Sequence, residues 1–129
     1  MKHKLVAVCA MLIGFATAAA PAFGHHGYAA YDMTKTVTLS GTITSYKMAN
    51  PHSTITFDVP AAKGKVEHWS AEFGYVRAMK AAGWTTTSLQ AGDQVTVEVH
   101  PAKNGAFVSS LARISLSDGR ILRMGAGGE

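Results

Sequence analysis

The chain has 129 residues, 12 Lys and Arg against 8 Asp and Glu for a formal charge of +4, one cysteine and six histidines. That length admits one domain. The 47% apolar and 16% charged content describe two different stretches, because the first two dozen residues are far more apolar than the rest.

Residues 1–24 place Lys2 and Lys4 ahead of an apolar run from Leu5 to about Ala16, followed by small residues. This is the layout of a secretory signal peptide, and the chain is expected to be exported to the periplasm or the exterior of a bacterial cell. The run covers roughly 12 residues where a membrane-crossing helix needs about 20, so no span is expected after its removal. Cys9 follows the bulky Val8 and lies early in the run, so it is expected to leave with the peptide rather than carry a lipid. Without residues 1–24 the charge falls to +2 and the apolar share to about 42%, and no cysteine remains. A charge that small argues against a nucleic-acid partner. A cysteine-free remainder excludes disulfides, thiolate zinc sites, iron–sulfur clusters and thiol catalysis.

Residues 25–36 form an N-terminal segment, and 37–124 carry the pattern of a small β-barrel. Val37, Leu39, Gly41 and Ile43 alternate with Thr38, Ser40, Thr42 and Thr44, the period of a half-buried strand. Asn50-Pro51 interrupts it, and Ile55, Phe57 and Val59 resume the alternation before a turn at 61–65 containing Gly64. A third strand is predicted over 66–73, with Trp69, Ala71 and Phe73 on one face and His68, Ser70 and Glu72 on the other. Residues 75–82 read as a short helix ended by Gly83, and 89–93 as a turn. Val95, Val97 and Val99 mark a fourth strand, and 107–116 a fifth with weaker alternation. Asp118-Gly119 is a hairpin signal that returns the chain as a short sixth strand over 120–124, before a flexible glycine-rich tail at 125–129. Three strands, a helix and two more strands predict an all-β fold with one short helix, an OB-like barrel of five to six strands. A half-open sandwich is the competing architecture, and the helix between strands three and four favours the barrel.

The inventory for chemistry after residue 24 is five histidines, His25, His26, His52, His68 and His100. Cleavage after Gly24 makes His25 the first residue, whose amine and ring nitrogen can chelate one metal while other imidazoles complete a planar set. Cleavage after Ala22 leaves Phe23-Gly24-His25, in which an amine, two amides and an imidazole wrap Cu(II) or Ni(II) in four nitrogens. Either end suits copper, against the plainer reading of an exposed polar terminus. His52 has outward parity with Thr54 and Thr56, and His68 and Glu72 share an outward face. The second and third strands are therefore expected to offer His52, His68 and Glu72 as a surface set, unless these are scattered residues on a solvated face. Ser109-Ser110 lacks a nucleophile-elbow pattern, the carboxylates are dispersed, and the terminal glycines precede no helix. Tyr28, Tyr31, Tyr46, Trp69 and Trp84 read as packing before they read as a stacking platform.

His25-His26-Gly27-Tyr28, Tyr31-Asp32, the Gly41 strand, Asn50-Pro51-His52, Trp69 and Glu72, Gly83-Trp84, Gly92-Asp93-Gln94-Val95 and Asp118-Gly119-Arg120 together resemble a family of small exported bacterial proteins, domain of unknown function 6152. The resemblance spans nearly all of the chain after the signal peptide. Where such proteins carry alanine before the paired histidines and tryptophan before Asn-Pro-His, this chain has Gly24 and Met48. The resemblance implies export and domain limits but no activity. From the residues, the leading expectation is a copper-binding domain with His25, His26 and His52 as ligands and His68 with Glu72 as a secondary site. The alternative is an envelope module that binds a peptide, glycan or small ligand on the outer face of its first three strands. Catalysis ranks third, because so small a barrel has little room for a cleft.

Overall fold

A computed structural model describes residues 27–124. The predicted signal peptide, the pair His25 and His26, and the predicted tail at 125–129 lie outside the described residues. The elements are β1 (Val37–Lys47), β2 (Ser53–Pro60), β3 (Val66–Phe73), α1 (Val76–Ala81), β4 (Gln94–Pro101), β5 (Val108–Leu116) and β6 (Ile121–Arg123). Short 3-10 turns occupy Tyr28–Ala30 and Ala62–Gly64.

The strand order is β3-β2-β1-β4-β5-β6, and a further β3–β5 pairing closes the first five strands into a barrel. Every pairing is antiparallel except the closure, which runs parallel from Ser70–Glu72 to Val108–Ser110. This is the expected OB-like arrangement. β1 makes it possible by serving two neighbours, pairing with β4 from Val37 to Thr42 and with β2 from Thr42 to Lys47. The strand must bend where it changes partner. A register shift between Ile43 and Ser45 supplies one part of the bend, and Gly41 the other. A Cβ at Gly41 would collide with the backbone carbonyl of Asp58, so β1 and β2 can approach this closely only without a side chain there.

Inward alternation then fills the barrel. Ile43, Ile55, Phe57, Val59, Trp69, Ala71, Phe73, Val95, Val97, Val99, Leu111, Ile114 and Leu116 form one buried cluster. The weak alternation of β5 has a local cause: Glu98 faces Arg113 while Val99 faces Leu111, so Ala112 is an extra residue in the ladder. β5 starts at Val108 rather than at Phe107, whose ring instead packs on Trp69 at 5.1 Å between centroids. Among the described residues no helix is long and apolar enough to cross a membrane.

Between β3 and β4 the chain plugs one end of the barrel. Met79 on α1 and Trp84 just beyond it are buried in the core cluster. Gly83, at φ +88, turns the backbone sharply enough to drop Trp84 inward. The Trp84 ring lies 5.2 Å from Phe73 and 6.1 Å from Tyr46, and its Nε1 donates to the carbonyl of Arg123. Tyr46 donates in turn to the carbonyl of Thr85, so β1, β6 and the plug are tied through side chains.

Candidate functional site

The loop from β1 to β2 is held from three directions. The amide of Ala49 donates to Ser53 Oγ, the amide of Ser53 donates to the Gly74 carbonyl, and Asn50 Oδ1 accepts the amide of Val76 at 2.9 Å. That last bond satisfies one of the amides left open at the start of α1. The Asn50-Pro51 peptide is cis. Ser53 is fully buried, whereas the adjacent His52 is exposed. The loop therefore fixes its own backbone against the β3–α1 corner and presents one imidazole to solvent.

The other two described histidines are engaged. His68 Nδ1 lies 2.6 Å from Asp58 Oδ1, its direct partner across β2 and β3. His100 Nδ1 donates to the carbonyl of Lys35 at 2.7 Å. His52 alone among the described histidines has no hydrogen-bond partner for its ring.

A second structure meets this corner from the N-terminal side. Thr54, Glu72, Ser110 and His100 stand in register across β2, β3, β5 and β4. The segment leading into β1 is strapped alongside this row. Tyr31 bridges Ala102, the Asp32 amide donates to Pro101 O, and the Lys103 amide donates to Ala30 O. Tyr31 and Ala102 are buried yet stand apart from the core cluster, which places Tyr31 against the outside of the barrel. Burial, followed by the neighbouring Glu72 carboxylate, pushes the Tyr31 hydroxyl up to about 12. Residues 27–36 are thus fastened to the barrel, although the sequence sets them apart as a separate segment.

Glu72 faces Thr54 in the β2–β3 register, and His52 lies two residues before Thr54, ahead of the first paired residue Ser53. His68 is elsewhere. It lies four residues from Glu72 along β3, about 13 Å at the rise of a strand, and its ring is taken by Asp58. Parity put His68 and Glu72 on the same outer face, and they stand four residues apart along β3 with the His68 ring turned to Asp58. Among the described residues no group of three or more His, Cys, Asp or Glu could hold a metal ion.

The proposed aromatic platform is likewise absorbed by packing. Trp69 lies 6.5 Å from Phe57 between ring centroids and donates its Nε1 to Glu67, while Tyr31, Tyr46 and Trp84 are placed as described above. An open groove of about 370 Å³ crosses β1, β4 and β5, lined by residues including Ser40, Thr42, Gln94, Thr96 and Ser115, with no charged side chain among its walls. Several of these groups bond one another, as Gln94 Nε2 does to Thr42 Oγ1. The groove differs from the outer face of the first three strands expected of an envelope module: β3 contributes nothing to its walls and β2 only Pro60.

A family model described as a family of unknown function (DUF6152) matches residues 12–110. No curated protein and no solved structure matches the chain.

Proposed function

The chain belongs to DUF6152, a family of unknown function, and from its own residues we propose that it is an exported, periplasmic domain that binds copper at its processed N-terminus. The observation that carries this reading is His52: an exposed, unpartnered imidazole on a loop whose backbone is pinned at Asn50 and Ser53. A residue held so firmly with its ring unused is suited to ligate. His25 and His26 supply the remaining ligands.

His52 also discriminates between the two cleavage positions. A chain beginning at Phe23 closes four nitrogens around the ion without His52. One beginning at His25 supplies the amine and the His25 ring, and needs further imidazoles to reach the planar nitrogen set that Cu(II) prefers. His26 and His52 meet that need, so cleavage after Gly24 is the proposed event. His26 is five residues from Tyr31, a reach of at most roughly 17 Å, and Tyr31 is fixed to the barrel by its bridge to Ala102.

Titration of the processed protein with Cu(II), alongside the same chain with its terminal amine acetylated, tests the reading. The acetylated form should bind much more weakly, since an amide nitrogen at the terminus can no longer chelate together with the His25 ring. Equal, weak binding by both would sink the terminal chelate. The uncharged groove over Ser40, Thr42 and Gln94 favours a second reading, a module for a neutral polar envelope ligand. That reading predicts no dependence on the terminal amine.

A further inference from the structure

We infer that Arg113 and Arg123 form the anion-recognising end of the groove over β1, β4 and β5, whose ligand is a sugar carrying one phosphate or carboxylate group. This rests on the second reading above, the groove as a site for a polar ligand, and extends that ligand by one charged group. Ser40, Thr96 and Ser115 stand in register across the three strands and line the groove. Ser40 Oγ lies 3.4 Å from Thr96 Oγ1, so two of these hydroxyls already meet. Two residues further along, about 7 Å at the rise of a strand, the next row in register is Thr38, Glu98, Arg113 and Arg123. Ile114 and Leu122, the pair between the rows on β5 and β6, turn to the core, so Arg113 and Arg123 both face outward.

This second row is short of acceptors. Arg113 and Arg123 are direct cross-strand partners, and like charges so placed destabilise a sheet. A single carboxylate stands in the row: Glu98, opposite Arg113 on β4, pairs with Arg113 Nη2. Arg113 Nε is buried without a hydrogen-bond partner, a costly state for a donor. Arg123 is exposed, and its guanidinium has no ion-pair or hydrogen-bond partner among the described residues. Arg120, by contrast, is held by Asp118 and the Ser88 carbonyl. The backbone that carries Arg123 is fixed, because its carbonyl accepts Trp84 Nε1. A guanidinium fork matches two oxygens of a phosphate or carboxylate, and an oxyanion shared by the two arginines offsets their repulsion. The row of hydroxyls beside them suits the hydroxyls of the same ligand, which points to a charged sugar and away from a bare ion.

The test is a titration of the processed protein, followed by amide chemical shifts, with glucose, glucuronate, the phosphate ester of the glucose primary hydroxyl, and inorganic phosphate. The two charged sugars should bind about 10- to 100-fold more tightly than glucose, the scale of hydrogen bonds to charged groups, with shifts at Thr96, Ser115 and Arg123. Inorganic phosphate should bind more weakly than the sugar phosphate. Arg123→Gln, at an exposed position, should erase the preference for charge and leave glucose affinity unchanged, whereas Ser40→Ala with Thr96→Ala should weaken every sugar. Equal binding of glucose and its charged relatives, or a preference that survives Arg123→Gln, overturns the arginine end while leaving the groove reading intact. Inorganic phosphate bound as tightly as the sugar phosphate overturns the sugar assignment. Absence of binding by all of the probes overturns both the inference and the groove reading. None of the proposed copper ligands lies on β4, β5 or β6, so the Cu(II) titration stands apart from every one of these outcomes.

Discussion

Replacing Trp84 with alanine should cost about 3–5 kcal/mol of folding stability, the range seen when a buried aromatic is truncated in a core. The ring is 1% exposed and packs on Phe73 and Tyr46, and its Nε1 bonds the Arg123 carbonyl that anchors β6. Alanine would open a cavity at the plugged end and release that carbonyl at the same time. A domain of this size has of the order of 5–15 kcal/mol to lose, so the variant should unfold at much lower urea concentration with an otherwise cooperative transition. A loss below about 1 kcal/mol, within the range of ordinary surface substitutions, would mean that the turn after α1 does not plug the barrel as described.

His52→Ala should leave the fold intact and remove most of the copper affinity. The side chain is exposed and unbonded, so its truncation lies among surface substitutions, usually within about 0.5 kcal/mol. Its effect on binding should be at least about 100-fold, because a directly bound imidazole is worth more than the outer partners of metal ligands, whose loss costs about 10- to 100-fold. His68→Ala and His100→Ala are the matched controls. His68 is turned to Asp58 and His100 to Lys35 O, and neither should alter copper affinity. If all three substitutions weaken binding alike, copper is meeting scattered surface imidazoles and no site has been built.

The strands were legible in the sequence because a barrel of this size buries one face of every strand, and the period of two survives even in β1, which changes partners at Gly41. β3 falls at 66–73 as the alternation predicts. Trp84 was harder to place, since it follows the helix in a stretch without periodicity and is buried by the turn at Gly83. Parity correctly sent His68 and Glu72 outward, yet parity carries no distance, and four residues along one strand separate them. The fastening of Tyr31 was hidden for a different reason. It joins residue 31 to Ala102 and Asp32 to Pro101, contacts that exist only once the segment before β1 lies along the end of β4. Neither a local pattern nor residue type distinguishes Tyr31 from the exposed Tyr28 three positions earlier. The Asn50-Pro51-His52 loop was visible as a break between strands. That Asn50 caps α1 through Val76, leaving His52 as the ring presented, is a product of the fold.

The central claim is that export creates the copper site by making His25 the first residue, and intact mass measurement of the exported protein under native conditions addresses it directly. The account predicts a chain that begins at His25 and, after exposure to Cu(II), gains the mass of one copper ion. A chain that begins at any other residue, or one that gains no copper, would contradict it.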